Sequence, residues 1–214
     1  MQTQIRDAIE HTILKPTAQD YEVESICREA ANNELFGVCI NPFWITRAKG
    51  WLEGSKTRLV TVVGFPLAAT LTSMKVYETR KSIEAGAQEI DMVMNLGAFK
   101  MKDYDTVRVD IQSVVHAAAS KPVKVIIETG LLNHDEIYSA SQIVLDAGAH
   151  FVKTCTGFSG GQATVKDVEL IAKAVDGKCL IKASGGIRTH QDAVDLLNAG
   201  AHRLGTSAGP KLLG

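Results

Sequence analysis

The sequence has no long uninterrupted apolar segment and only four cysteines in 214 residues. Its longest apolar run, residues 59–69, contains Thr61, Gly64 and Pro66, so it is too short and too interrupted to span a bilayer. The cysteines form no C-x-x-C pair, which favours free thiols in a reducing compartment over a disulfide framework. The first ten residues carry charges where a signal peptide needs an apolar stretch, so we expect a cytoplasmic location.

The sequence also lacks an excess of charge of either sign. It has 23 Lys and Arg against 24 Asp and Glu, with a net charge of −1. A nucleic acid or an anionic membrane surface is therefore not expected as a partner. The six histidines show no H-x-x-x-H spacing and no pairing with cysteines, so no metal site is expected either. A small phosphorylated ligand held by local groups stays compatible with this composition.

Three similar segments indicate a repeated βα unit. Each runs from a helical pattern into Ala-Gly-Ala and then into a β-like stretch, around Gly86, Gly148 and Gly200. These glycines suit the left-handed position that closes a helix. A unit repeated in this way is typical of a parallel sheet or barrel.

The apolar periodicity predicts eight strands with helical stretches between them. Strands are predicted at residues 11–14, 36–40, 59–63, 89–94, 123–128, 150–154, 179–183 and 202–205. Helices are predicted at residues 22–31, 74–85, 104–119, 136–147, 165–174 and 193–199. Eight such units without a linker predict an α/β fold, one (β/α)₈ TIM barrel domain spanning residues 1–214. The alternative, a doubly wound open sheet, usually carries G-x-G-x-x-G after its first strand, and this sequence does not.

Three charged residues interrupt the apolar pattern of the predicted strands. Because strand side chains alternate between two faces, Asp91, Lys153 and Lys182 are expected to point into the barrel. Burying an ammonium group is costly unless the group is paired or neutral. Two interpretations stay open: a buried salt-bridge network around Asp91, or a catalytic amine whose pKa is lowered by a second ammonium.

The second interpretation involves an effect large enough for catalysis. Adjacent strands lie about 4.8 Å apart, so the two lysine nitrogens can approach to roughly 5 Å. At an effective dielectric constant near 20, their repulsion is about 3 kcal/mol, or roughly two pKa units. A lysine shifted by that amount has a useful neutral fraction at neutral pH, and neutral amines form Schiff bases with carbonyl compounds without a metal.

Two glycine-containing loops follow the last two predicted strands. Gly185 and Gly186 lie between a strand and a helix, and residues 205–209 repeat that arrangement. Backbone N–H groups in such loops attract anions, and the loops after strands seven and eight of a barrel commonly bind phosphate. Either loop alone is also compatible with a plain tight turn. Together with the lysine pair, the two loops predict a phosphate site.

These segments resemble the deoxyribose-phosphate aldolase family, which are class I aldolases of deoxynucleoside catabolism. Residues 151–158 are similar to the family's Schiff-base strand, residues 181–189 to its second-lysine strand, and residues 89–95 to the segment with the proton-relay aspartate. Residues 11–16, 37–42 and 123–129 also match in place and order. The resemblance covers nearly the whole chain.

The resemblance implies a reaction and a role for three residues. Lys153 would form the imine with the sugar aldehyde, Lys182 would lower the pKa of Lys153, and Asp91 would transfer protons together with Lys182 and water. The implied reaction is the reversible cleavage of 2-deoxy-D-ribose 5-phosphate to D-glyceraldehyde 3-phosphate and acetaldehyde. No cofactor and no metal would be needed.

The resemblance also implies what surrounds the substrate. The phosphate would be held by the backbone of Gly157, Gly185 and Gly186 and by Ser207. Cys39 would line the site without a chemical role. Members of the family form dimers or tetramers, so a homodimer or a homotetramer is expected.

The chain departs from the family pattern at three positions. Glu10 stands where aspartate is usual, Cys155 replaces a smaller Ser or Ala, and Ala208 replaces a common second serine. Alternation puts Glu10 and Thr12 on one face of the first strand, and the resemblance implies that this face is the inner one, so both are expected to line the site. Glu10 either joins a network of lysines and water, which we expect, or pairs directly with a lysine ammonium and raises its pKa.

Two other functions stay open at this point. A phosphosugar isomerase or epimerase on the same barrel would use Asp91 as a base, but that reaction leaves the two inward lysines unexplained. A catalytically weakened phosphosugar-binding protein would keep the glycine loops and lose the reaction because of Glu10. An activity assay separates the second of these from an aldolase.

Overall fold

The structure is a computed structural model that describes residues 5–214. Eight parallel strands pair in chain order and close into a barrel. The strands are β1 (Ile9–Ile13), β2 (Gly37–Ile40), β3 (Arg58–Val63), β4 (Glu89–Val93), β5 (Val123–Ile126), β6 (Phe151–Lys153), β7 (Leu180–Ser184) and β8 (Arg203–Thr206). The predicted (β/α)₈ barrel is confirmed.

Helices connect the strands and surround the barrel. They are α1 (Asp20–Asn32), α2 (Ile45–Trp51), α3 (Thr72–Ala85), α4 (Leu96–Lys100), α5 (Tyr104–Ala117), α6 (His134–Asp146), α7 (Val165–Val175) and α8 (His190–Asn198). Short 3₁₀ helices lie at Pro42–Trp44, Thr129–Leu131 and Gly209–Leu213. The sequence did not predict α2 and α4, which have seven and five residues and are too short for a clear periodic pattern.

Local sequence signals explain where several helices begin and end. At the start of α6 the Asn133 side chain accepts the N–H of Glu136, and the Glu136 carboxylate accepts the N–H of Asn133. At the end of α3 Gly86 has a φ of 126°, and Gly148 and Gly200 also have positive φ values of 76° and 113°. The predicted left-handed glycines at helix ends are confirmed.

Two apolar regions lie on opposite sides of the strands. The outward faces pack against the helices, as Ile90, Met92 and Met94 of the fourth unit do. The apolar side chains inside the barrel form two small groups, Leu14, Cys39, Val60 and Val62, and Ala68, Val93 and Ile126. Because these groups come mainly from β2 to β5, the remaining interior is left for charged side chains.

A buried ion pair fixes the carboxyl end of β4. Lys75 Nζ of α3 donates to Asp110 Oδ2 of α5 at 2.6 Å and to the Val93 carbonyl oxygen at 3.0 Å. Both side chains are fully buried. The pair therefore anchors two helices to the strand that carries Asp91.

Two further predictions concern thiols and membranes. The four cysteines are buried and free, as predicted. Within residues 5–214, no helix has both the length and the apolar character needed to cross a membrane.

Candidate active site

A pocket of about 300 Å³ opens at the carboxyl ends of the strands, where barrels of this fold hold their active sites. It lies over β1, β6, β7 and β8. Of the predicted site residues, those that line it are Thr12, Lys153, Gly157, Gly185, Gly186 and Ser207. The other four, Glu10, Cys39, Asp91 and Lys182, are fully buried deeper in the barrel.

Asp91 joins the two predicted lysines below this pocket. Lys153 Nζ donates to Asp91 Oδ2 at 2.7 Å, and Lys182 Nζ donates to the same oxygen at 2.6 Å. Lys153 and Lys182 are directly paired across β6 and β7, so neighbouring strands deliver both ammonium groups to one carboxylate. The side chains of Asp91, Lys153 and Lys182 all point into the barrel, as expected.

A third lysine, Lys124 of β5, belongs to the same cluster and was not predicted as a site residue. Its Nζ donates to Asp91 Oδ1 at 3.0 Å and lies 2.6 Å from Glu89 Oε2. The register pairs Lys124 with Asp91 across β4 and β5. The sequence does contain a signal for this residue, because Lys124 is an isolated lysine in an apolar strand. The alternation rule used for Asp91 would have placed its side chain inside the barrel. The buried cluster thus comprises three lysines and three carboxylates, Glu10, Glu89, Asp91, Lys124, Lys153 and Lys182.

The charges of this cluster stabilise one another. Burial disfavours the charged form of Asp91, but the nearby lysine ammonium groups outweigh it and hold the pKa of Asp91 well below its ordinary 3.8. Burial likewise opposes the charge of Lys182, yet Asp91 and Glu10 raise the pKa of Lys182 above its ordinary 10.5. Carboxylates raise the pKa of Lys124 in the same way. Asp91 is therefore a persistent anion, and Lys124 and Lys182 are persistent cations.

Glu10 pairs directly with the ammonium groups of two lysines of the cluster, Lys182 and Lys124. Its Oε2 accepts a hydrogen bond from Lys182 Nζ, and its Oε1 lies 3.3 Å from Lys124 Nζ. The strand β1 begins two residues earlier than predicted, so Glu10 lies within the sheet and points inward. The direct partner is Lys182, whose pKa it raises, and not Lys153.

Gly205 makes room for this contact. It lies opposite Glu10 in β8 and has no side chain. A Cβ at this position would lie 2.9 Å from the Ser184 Cβ and 3.1 Å from the Lys182 Cε. Any larger residue here would displace the Lys182 side chain from its path to Glu10.

Cys39 lies against the cluster and not at the pocket surface. Its Sγ is 3.9 Å from Asp91 Oδ2. Burial raises the pKa of the Cys39 thiol to about 11, so the thiol is protonated near neutral pH. Ligand atoms of Glu10, Cys39 and Asp91 lie within 4.8 Å of one another, which is close enough for a metal ion. The lysine ammonium groups already bonded to these carboxylates oppose a further cation.

The upper wall of the pocket suits an anion. Gly185 and Gly186 have φ values of 104° and 76°, which glycine adopts readily and other residues rarely do. Their loop, the Gly157 loop and Ser207 place backbone and hydroxyl groups around one space. Arg188 stands exposed on its rim and adds positive charge, whereas Lys15, also on the rim, is paired with Glu22. Together these groups can hold a phosphate.

Two of the departures from the family pattern lie away from this space. Cys155 does not share the inward direction of Lys153, because β6 ends at Lys153 and the alternation stops there. The Cys155 Sγ lies 3.3 Å from Thr129 Oγ1 instead. The N–H of Ala208 donates to Thr206 Oγ1 at 2.9 Å, so the backbone of this position closes the loop after β8.

The chain matches the DeoC/LacD family aldolase model over residues 6–212. It is 46% identical over 210 residues to a deoxyribose-phosphate aldolase of Dictyoglomus turgidum, covering 98% of this chain and 96% of the relative. It is 49% identical over 209 residues to a protein of the same name from Thermotoga petrophila, covering 98% of this chain and 84% of the relative.

The chain is also similar to solved structures of aldolases. An aldolase named QR15 superposes with a TM-score of 0.94 at 38% identity, covering 98% of this chain and 94% of its own. A deoxyribose phosphate aldolase from Aeropyrum pernix, described as a unique tetramer, superposes with a TM-score of 0.92 at 30% identity. That match covers 100% of this chain and 91% of the Aeropyrum chain.

Proposed function

This chain belongs to the DeoC/LacD aldolase family, and from that premise we propose that it cleaves 2-deoxy-D-ribose 5-phosphate through an imine on Lys153. The protein is an aldolase, an enzyme that breaks a carbon–carbon bond. The products of the proposed reaction are D-glyceraldehyde 3-phosphate and acetaldehyde. One observation carries the assignment of the nucleophile: of the three clustered lysines, Lys153 lines the pocket and the other two are sealed below it.

The charges around Lys153 support this role. A lysine must be neutral to attack a carbonyl carbon. Lys124 and Lys182 hold their protons, because carboxylates raise the pKa of each. Of the three lysines, Lys153 is the one that both lines the pocket and can meet a carbonyl carbon there.

The proposed chemistry balances without an added reagent. The Lys153 amine adds to C1 of the open-chain sugar, and loss of water leaves an iminium ion. The C3 hydroxyl then loses its proton, the C2–C3 bond breaks, and its electron pair passes to the iminium nitrogen to give an enamine. Glyceraldehyde 3-phosphate leaves, the proton returns to C2, and water releases acetaldehyde. Because the iminium nitrogen accepts the electrons, we propose that neither a metal nor another cofactor takes part.

We assign the proton transfer to Asp91 and Lys182 acting with water. The low pKa of Asp91 makes its carboxylate a weak base on its own, so its role is to accept hydrogen bonds and orient its partners. Lys182 donates to the oxygen that Lys153 also uses, which places a protonated hydrogen-bond donor beside the reacting nitrogen. A water molecule between them can carry the proton from the C3 hydroxyl to C2.

The phosphate is assigned to the upper wall of the pocket. The backbone of Gly157, Gly185 and Gly186 and the hydroxyl of Ser207 surround one space above Lys153. Helix α8 begins just beyond the Gly185–Gly186 loop, and its amino end adds a favourable dipole. This arrangement holds the phosphate at a distance from the imine along the length of the sugar.

The other functions considered receive less support. An isomerase that uses Asp91 as its base needs a carboxylate with a pKa near the working pH, and the pKa of Asp91 is lowered instead. A weakened binding protein needs Glu10 to disable the nucleophile, but Glu10 bonds Lys182. Self-association as a homodimer or homotetramer stays a prediction, which sedimentation analysis would test.

Reductive trapping tests the proposed imine. Incubation with deoxyribose 5-phosphate and borohydride should add one substrate-derived mass to the peptide that carries Lys153, read by mass spectrometry. Lys153→Arg keeps a cation but cannot form the adduct, so it is the matched control. Labelling of Lys124 or Lys182 alone would refute the assignment, and so would loss of activity on treatment with a chelator.

A further inference from the structure

Glu128 is a buried carboxylate that the proposed reaction does not use. It follows β5 at the mouth of the barrel and has no exposed surface. Its backbone has a φ of 56° and a ψ of 64°, the left-handed region that residues other than glycine rarely adopt. Strain of this kind persists only where surrounding contacts compensate for it, and it concentrates at functional sites.

The compensating contacts of Glu128 come from one loop, residues 156–159. Its carboxylate oxygens accept the Thr156 N–H at 3.2 and 3.3 Å, and one of them also accepts the Thr156 hydroxyl. The Ser159 hydroxyl donates to the same carboxylate at 3.3 Å. Thr156 then accepts the N–H of Phe158 through its hydroxyl oxygen at 3.0 Å. Glu128 therefore determines the conformation of both ends of this loop.

The middle of this loop belongs to the substrate pocket. Gly157 has a φ of 83°, lines the pocket beside Lys153, and finds no acceptor for its N–H among residues 5–214. Phe158 also lines the pocket, and its ring meets the Phe65 ring edge-on with 5.2 Å between centroids. With Thr156 and Ser159 held by Glu128, the free N–H between them is left for a ligand.

We propose that Glu128 is a positioning residue for the phosphate of the substrate and that it acts by holding the loop of residues 156–159. The inference rests on the proposed function, since it takes the ligand at Gly157 to be a sugar phosphate. A displacement of the loop by about 1 Å is enough to cost a large factor in rate. Glu128 touches neither Lys153 nor Asp91, so its loss affects phosphate binding and spares imine formation.

The substitution Glu128→Gln tests this role, because the amide keeps the size of the side chain and cannot accept all the loop donors. The measurement is kcat/KM for deoxyribose 5-phosphate and for 2-deoxyribose. We expect the preference for the phosphorylated sugar to fall by at least about tenfold, with 2-deoxyribose changed by less than about twofold. Glu169→Gln, on the exposed side of α7, is the matched control and should change neither value.

The remaining outcomes decide between a positioning role and a structural one. An equal fall for both sugars, or an unchanged preference in a folded Glu128→Gln protein, would overturn the proposal. If Glu128→Gln does not fold, Thr156→Val removes the hydroxyl contact of the same loop and is judged by the same ratio. A wild-type enzyme that traps no sugar or shows no preference for the phosphate would instead refute the proposed function, and this inference with it.

Discussion

Glu10, the expected departure from the family pattern, lies in the charged cluster beside the proposed chemistry. Its carboxylate bonds Lys182 and faces Lys124, the two lysines with raised pKa values. With Glu89 and Asp91 it sets three carboxylates against three lysines inside the barrel. The Glu10 carboxylate therefore favours the protonated form of Lys182, and its direct partner is not the proposed nucleophile Lys153.

Substitutions at Glu10 should separate the effect of its negative charge from the effect of its side-chain length. Glu10→Gln removes one negative charge and leaves the buried cluster with surplus positive charge, so we expect kcat to fall by more than about tenfold. Glu10→Asp keeps the charge that pairs with Lys182, so its kcat should change by less than about tenfold. A coupled assay of sugar-phosphate cleavage measures both. Activity that is absent in the wild type and appears in Glu10→Asp would favour the binding-protein interpretation.

At the scale of single residues, the sequence predicted those whose signal is local. Asp91, Lys153 and Lys182 stood out as charges in apolar strands, and alternation gave their direction. Lys124 carried the same signal and was missed, and only the register of β4 against β5 shows that it lies opposite Asp91. Glu128 could not be found from the sequence, since its left-handed backbone and its loop contacts depend on tertiary structure.

At the scale of elements, we propose that the loops after β6, β7 and β8 together bind the phosphate of the substrate. Hydrogen bonds to a charged group are worth about 1.5–3 kcal/mol each, so the loss of two or three predicts at least a hundredfold fall in kcat/KM. We therefore expect 2-deoxyribose to be cleaved at least about a hundred times less efficiently than its 5-phosphate. Competition between the two sugars in one reaction measures the ratio, and equal turnover would place the phosphate elsewhere.

Strands and helices were predicted well where the apolar pattern extends over many residues and poorly where it extends over few. The strand β4 and the long helix α5 begin at their predicted residues. The strand β6 has only three residues, Phe151–Lys153, and is shorter than the strand predicted at residues 150–154. Helices of five to seven residues, such as α4, carry too few apolar positions to define a face.

At the scale of the whole molecule, the buried charges predict how stability depends on pH. Asp91 has a lowered pKa, so its contribution is present above 3.8 and is lost as the pH falls through its folded value. Lys124 and Lys182 have raised pKa values, so their contribution is present below 10.5 and is lost as the pH rises through theirs. These groups therefore predict a plateau in the free energy of unfolding between those limits.

Urea denaturation at a series of pH values checks this expectation. The wild type should exceed Asp91→Asn in free energy of unfolding on the plateau, because the variant leaves buried ammonium groups without a partner. That difference should shrink as the pH falls below 3.8, where the wild-type carboxylate begins to lose its advantage. A constant difference down to strongly acidic pH would mean that Asp91 does not carry the effect.

Barrel closure was predictable from the count of βα units, because eight repeats with short connections leave few other arrangements. The pairing of β8 with β1 then brings Glu10 and Gly205 side by side, although nearly the whole chain separates them. This contact shows why the cluster as a whole could not be read from the sequence: its six members come from five strands, and only closure assembles them.

The charged cluster is buried and the rim of the pocket is exposed, so the two respond differently to dissolved salt. Mobile ions screen exposed charges over about 8 Å at physiological ionic strength, but they do not enter a region without accessible surface. Arg188 and Ser207 are exposed, whereas Glu10, Asp91 and Lys182 are not. Added salt therefore competes for the capture of the sugar phosphate and leaves the field around the reacting amine as it was.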